Sequence, residues 1–347
     1  MQQALAALES EGVPHCLRNG GLPDQLGNQE DVDVLVPARH RAAAVQALRA
    51  AGWLHWRAPG HSGHDFLLVC TPEGTWIKLD LVTRLRYGSR EEPVDGVVAR
   101  RTHKDGVWCA AELDVDRHQQ ERRDGQREVV SRPERWRRRG PVSLRRQGPV
   151  IALVGPDGAG KGTVVEGLRQ TLPVAVTIVY LGDHGGSSGT AGRGAARPGT
   201  DVARAPSRPA GAAREAAFVL RKHLRLARPL VRAHVAAWRG HVVLCDRHPL
   251  DAVAVRPPRG ALAGALEAVL ARVTGPQLDA LLVLDAPGAV LFERKGEHSP
   301  AVLEGWRQGY RSLPRAIVVD TLPGPEATLR SVRQLSWAAA VRRREAT

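Results

Sequence analysis

The stretch Ile151-Ala-Leu-Val-Gly-Pro-Asp-Gly-Ala-Gly-Lys-Gly-Thr163 constrains this chain more than any other. Its first four residues are apolar and read as a short buried strand. Val164 to Leu172 reads as a helix, and a glycine-rich turn joins the two. Gly155, Gly158 and Gly160 allow left-handed or crowded backbone and the close approach of a phosphate chain. Asp157 and Ala159 lie between them. The amides of the turn and of the first helical turn then point at an anion, with the helix dipole behind them. Lys161 adds a point charge for the outer phosphates. Thr163 offers a hydroxyl one place later than the usual Ser/Thr, because Gly162 fills that slot. Strand, glycine turn, lysine and helix in this register form a cradle for a nucleoside triphosphate.

A chain of 347 residues suits two domains rather than one. The net charge is +14, yet only five of the 50 basic residues are lysines (Lys78, Lys104, Lys161, Lys222 and Lys295). Arginine in such excess, with abundant Ala and Gly, has the look of a GC-rich genome, so the charge argues only weakly for nucleic acid. It also singles out Lys161 and Lys295, which both fall in candidate phosphate sites. Cys16, Cys70, Cys109 and Cys245 are scattered, with no Cys-x-x-Cys, so neither a disulfide framework nor a zinc site is expected. No run approaches the ~18 apolar residues of a membrane span, and no signal peptide opens the chain. The expectation is a cytoplasmic protein with no membrane partner.

Ahead of the cradle, residues 2–12 read as a helix stopped by Gly12. Residues 15–18 read as a strand, Asn19-Gly-Gly21 as a turn, Asp31 to Val36 as a strand and Ala38 to Gly52 as a helix. Asp65–Cys70 and Thr75–Val82 read as two strands joined at Pro72-Glu-Gly74. Asp31 and Asp33 point to one face of their strand, because side chains alternate with period two. Asp80 stands mid-strand between Leu79 and Leu81, where a charge is costly unless paired or bound to metal. Three carboxylates able to converge suit a two-Mg²⁺ site. Gly20-Gly21, nine residues, then Asp31-x-Asp33, and later Asp80, resemble the minimal nucleotidyltransferase pattern over about the first hundred residues. The turn departs from it, with Asn19-Gly-Gly in place of the usual Gly-Ser.

Residues 114–147 are rich in Arg, Asp and Glu and weakly apolar, and read as a charged linker. Behind the cradle, residues 174–180 read as a strand. Gly182–Ala213 is Gly-, Ser-, Pro- and Arg-rich, and is expected to be mobile. Ala213–Arg239 reads as a long helix that Pro229 kinks or divides. His241-Val-Val-Leu-Cys-Asp-Arg-His248 reads as a strand delivering Asp246 and Arg247 at its C-terminal end, where ligands bind in open parallel sheets. Leu278–Leu284 reads as another apolar strand. The helix that follows carries Arg294 and Lys295, placed to close over phosphates from a lid. Ala316–Asp320 and Pro325–Arg342 read as a last strand and helix.

Residues 148–347 resemble the thymidylate kinase-like branch of P-loop kinases. The matching pieces are residues 155–163, Arg239-Gly-x-Val-Val-x-x-Asp-Arg247, Leu284-Asp-Ala-Pro287 and Arg294-Lys-Gly-Glu297. Together with the nucleotidyltransferase resemblance of the first hundred residues, this resemblance implies an α/β fold in two parts. Residues 148–347 would form a P-loop NTPase-type parallel sheet with flanking helices. Residues 1–113 would form a smaller nucleotidyltransferase-like domain. It implies ATP and Mg²⁺, with Asp157 facing the acceptor, and Asp246 and Arg247 handling metal and acceptor phosphate. The catalytic set would be Lys161, Asp246, Arg247 and Arg294. The nucleotide would lie on Gly155, Asp157, Gly158, Ala159, Gly160, Lys161, Gly162, Thr163 and Lys295. Metal would lie on Thr163 and Asp246, and in the first domain on Asp31, Asp33 and Asp80. The Ser and Tyr-Gln that usually follow the Asp-Arg pair are missing, and Gly182–Ala213 replaces the acceptor segment. Three functions are therefore expected to compete: phosphoryl transfer to a nucleoside monophosphate or another small phosphate-bearing acceptor, nucleotidyl transfer at Asp31, Asp33 and Asp80, and ATP-dependent regulation without turnover. Nucleic acid is a disfavoured partner, and a homodimer is left open.

Overall fold

A computed structural model of the chain describes residues 1–19, 32–57, 63–87, 90–125, 146–181, 209–255, 260–274 and 278–345. Gly20 and Gly21 of the expected turn, Asp31, residues 126–145 of the expected linker and residues 182–208 lie outside the described residues. The N-terminal part runs α1 (Gln2–Ser10), β1 (Cys16–Leu17), β2 (Val32–Leu35), α2 (Arg41–Ala50), β3 (Leu54–Arg57), β4 (His64–Cys70) and β5 (Trp76–Val82). It continues through β6 (Arg84–Tyr87), β7 (Arg90–Pro93), α3 (Asp95–Ala99), β8 (Thr102–Lys104), β9 (Val107–Cys109) and α4 (Glu112–Gly125). Seven of these strands form one mixed sheet in the order β3-β4-β5-β2-β1-β9-β8, with β6 and β7 as a separate hairpin.

The C-terminal part runs β10 (Val150–Val154), α5 (Lys161–Thr171), β11 (Val176–Tyr180), α6 (Pro209–Trp238), β12 (Val242–Asp246), α7 (Asp251–Val255) and α8 (Ala261–Thr274). Then follow β13 (Ala280–Asp285), α9 (Gly288–Lys295), α10 (Pro300–Arg311), β14 (Ala316–Asp320) and α11 (Pro325–Glu345). Its five strands are all parallel, in the order β11-β12-β10-β13-β14. The near-continuous apolar runs of the three inner strands, β10, β12 and β13, follow from burial on both faces. Ile151 and Leu153 pack with Val164, Val165 and Leu168 of α5, Leu291 of α9 and Val332 of α11. Val150, Ala152 and Val154 pack on the other face with Leu226 and Leu230 of α6, Ala254 of α7 and Tyr310 of α10. Helix α6 runs unbroken through Pro229 rather than dividing there.

β10 is the central strand, and the chain leaves it for β11 on one side and later crosses from β12 to β13 on the other. That reversal makes a crevice at the C-terminal end of β10, the position in open α/β sheets that takes ligands. The glycine turn of residues 155–160 lies there.

The two sheets share a packed interface. Trp56, Leu68 and Trp76 join the core made by α5 and α11. Trp56 Nε1 donates to Gly240 O at 2.9 Å, and Trp76 Nε1 donates to Arg333 O at 3.2 Å. The Trp76 ring meets Trp337 edge-on at 5.0 Å, and the Arg344 guanidinium donates to His55 O at 2.7 Å.

Candidate functional site

The turn between β10 and α5 is held by its glycines. Gly155 has φ 143° and Gly158 φ 85°. A Cβ on Gly155 would stand 2.5 Å from Leu284 O, and one on Gly158 would stand 2.6 Å from Leu291 O. Any side chain at either place would push β13 or α9 away from the turn. Gly160 caps α5 in the left-handed region, and no side chain caps the helix. The leading N–H groups of a helix have no intrahelical acceptor. The first turn also faces outward, with Gly160, Gly162 and Thr163 exposed and open space around both glycines.

Lys161 folds back into the turn. Its Nζ donates to Gly155 O at 2.7 Å and Pro156 O at 2.8 Å. The side chain is buried, and burial lowers its pKa to about 8, with Arg247 acting in the same direction. Asp157 gathers the cations of the site. Arg247 Nη2 donates to its Oδ1 at 2.8 Å, Lys295 Nζ lies at 3.7 Å and Lys161 Nζ at 3.9 Å. Burial favours the neutral acid at Asp157, but Lys161, Arg247 and Lys295 together outweigh it and hold the pKa below the ordinary range. At Asp246, on the neighbouring strand end, burial outweighs the same two cations, Lys161 and Arg247, and the pKa rises. Arg247 has φ 67°, a costly backbone for a branched-free but bulky side chain, and its amide donates to Leu153 O at 3.2 Å.

The structure thus brings Asp157, Lys161, Asp246, Arg247 and Lys295 together around one crevice. Arg294 is placed differently. Its Nη1 donates to Thr321 Oγ1 and its Nη2 to Thr321 O, both at 3.0 Å, so it ties α9 to the end of β14. Asp157, Glu297 and His298 also come close, with ligand atoms within 4.8 Å of one another. The Lys295 ammonium already bridges two of them, at 3.0 Å from Glu297 and 3.7 Å from Asp157.

Two neighbours of the crevice were not singled out in the sequence. Asp251 opens α7, its Oδ1 is enclosed without a hydrogen-bond partner, and the Tyr310 side chain lies beside the same carboxyl group. Burial lifts its pKa to about 6 against the pull of Arg247 and Lys161. Tyr310 reaches it because Gly309 lets α10 lie against α7; a Cβ there would stand 2.0 Å from Ala254 O. An Asp at a helix start reads as a cap, and Tyr310 lies far along the chain, so only the packing reveals the pair. Nearby His248 is buried with Nε2 unpartnered, and burial lowers its pKa to about 4.

In the N-terminal sheet, Asp33 and Asp80 are in register on the adjacent parallel strands β2 and β5. Arg18 Nη1 donates to Asp33 Oδ2 at 2.6 Å, and His64 Nδ1 lies 2.9 Å from Asp80 Oδ2. Burial raises the pKa of Asp80, His64 opposes the rise, and Asp33 adds to it. Asp31, the third carboxylate of the expected set, lies outside the described residues. No model of a known protein family matches this sequence, and no curated protein matches it.

Proposed function

We propose that the C-terminal unit moves the γ-phosphate of ATP to a small acceptor, a nucleoside monophosphate or another phosphate-bearing molecule, as a P-loop kinase of the thymidylate kinase-like type. The observation that carries this reading is the crevice at the end of β10. There an uncapped helix start, a buried lysine and an Asp-Arg strand end face one another. The donor set fits a polyphosphate: free N–H groups at the start of α5, and the Lys161 ammonium held on two carbonyls. Thr163 and Asp246 offer a hydroxyl and a carboxylate to Mg²⁺, which when bound draws charge from the phosphate oxygens. Lys161 leaves its two carbonyls for phosphate oxygens. Arg247 screens the repulsion between donor and acceptor anions. Asp246, through the metal it would hold, orients the attacking oxygen of the acceptor, whose phosphate is already ionised at neutral pH. Lys295, on the C-terminal turn of α9, adds charge from the side.

A second reading, nucleotidyl transfer in the N-terminal sheet, draws support from the register of Asp33 with Asp80. Against it, each carboxylate already has a basic partner, Arg18 for one and His64 for the other. The test is an acceptor screen with the full-length protein, ATP and Mg²⁺, with ADP and pyrophosphate followed in parallel. ADP with a phosphorylated acceptor is the expected result. Tight ATP binding with no turnover of any acceptor would point instead to a regulator.

A further inference from the structure

Helix α6 has three faces, each about a third of a turn from the next. Val219, His223, Leu226, Leu230, Ala233 and Ala237 recur every three or four residues and are buried. Ala217, Leu220, Leu224, Ala227, Val231 and Trp238 form a second line at helical spacing, and it faces solvent. Leu224 is 64% exposed, Val231 62%, Leu220 48% and Trp238 38%. Arg214, Arg221, Arg225, Arg228 and Arg232 form the third line, with Phe218 among them, 49% exposed. The carboxylates of α6 and of the adjoining α8 are Glu215 and Glu267 alone. Glu215 accepts the Gly260 N–H at 2.9 Å, and Glu267 takes the Lys222 ammonium at 2.8 Å. Both acids therefore lie where α6 meets α8 and its leading turn, away from the apolar line. The outer half of α6 joins an apolar seam to a row of arginines with no acid on it.

We propose that this face docks on an anionic lipid bilayer, with α6 lying in the plane of the interface. The apolar seam from Ala217 to Trp238 would enter the headgroup boundary, and the arginines beside it would reach lipid phosphates and carboxylates. Trp238 at the end of the seam has the amphipathic ring that favours this depth. The other occupants fit less well. Nucleic acid would take the arginines and leave the leucines in water. A second copy would bring the same arginine row against its own. Residues 182–208 contain four arginines, two aspartates and Val202 as their one large aliphatic, so they supply neither the charge nor the apolar surface. The expectation of no membrane partner rests on the want of a spanning run, and no described helix is long and apolar enough to cross a bilayer. A helix lying on a bilayer needs no such run.

The test is flotation of the full-length protein with phosphatidylcholine vesicles, made with and without phosphatidylserine. The protein should float with the anionic vesicles, release as salt rises, and stay behind with the neutral ones. Each arginine near such a surface is worth about fivefold in partition, so joint Arg221→Gln, Arg225→Gln and Arg228→Gln should weaken binding about 100-fold. Joint Leu220→Ser, Leu224→Ser and Val231→Ser should weaken it at least about tenfold. Every substituted side chain is exposed, so both variants should melt with the wild type. Wild-type protein that fails to float with anionic vesicles would overturn the proposal, as would variants that float as well as it does. A dimer that the serine variant breaks, without any vesicle binding, would assign the face to a second copy instead.

Discussion

Lys161 is a buried cation held near neutrality, and that gives the site a pH signature. Burial keeps its pKa at about 8 in the free protein. A bound polyphosphate favours the charged form and lifts that value. Below about 8 the ammonium is already present, and affinity for ATP should be flat with respect to this group. Above it the free protein has lost the proton that the complex needs. Binding then takes up a proton, and affinity falls by up to about tenfold per unit. Calorimetry in buffers of differing ionisation enthalpy measures the uptake, and its absence above pH 8 would contradict the placement of Lys161. Asp246→Asn keeps the shape and removes the charge. ATP should bind with affinity within a few-fold of wild type, while phosphoryl transfer falls by about 10²–10³, the usual cost of losing a group that stabilises or orients the transition state. Full activity in this variant would reduce the strand end to structure.

At the level of elements, the crevice depends on α10 lying close on α7. Gly309→Ala places a methyl 2.0 Å from Ala254 O, so one helix must move. The expected cost is about 1–3 kcal/mol, read as a lower thermal midpoint, with a loss of turnover as Tyr310 draws away from Asp251. An unchanged melt would mean that the two helices are free to part. The same element contacts explain what the sequence made legible. β10, β12 and β13 announce themselves as apolar runs because both faces of their sheet are covered, and the start of α5 is marked by its glycines. Asp246 and Arg247 could be placed because a strand end in a parallel sheet is a fixed location. Asp251 and Tyr310 could not, since their meeting depends on Gly309 and on helix packing that no local pattern encodes. Arg294 looks in sequence like its neighbour Lys295, yet Thr321, on a different loop, decides where it points. The hairpin of β6 and β7 was hidden by its charge: Arg90-Glu-Glu-Pro93 has no apolar alternation to betray a strand.

Over the whole molecule, the two sheets are joined by tryptophans that alternation alone would assign to either sheet's own core. Trp76 is 2% exposed and spans the junction through Trp337 and Arg333 O. Trp76→Ala should cost about 3–5 kcal/mol and uncouple the two halves in urea unfolding, turning one transition into two. A single transition at the wild-type midpoint would show the junction to be energetically idle. The central claim is that chemistry belongs to the cradle of β10 and α5, not to Asp33 and Asp80. It is tested most directly by product release from the full chain, with ATP, Mg²⁺ and the acceptor the screen selects, in wild type, Lys161→Ala and Asp80→Asn. ADP should accumulate with the wild type, fall by about 10²–10³ with Lys161→Ala and persist with Asp80→Asn. Pyrophosphate that vanishes with Asp80→Asn and is untouched by Lys161→Ala would contradict it.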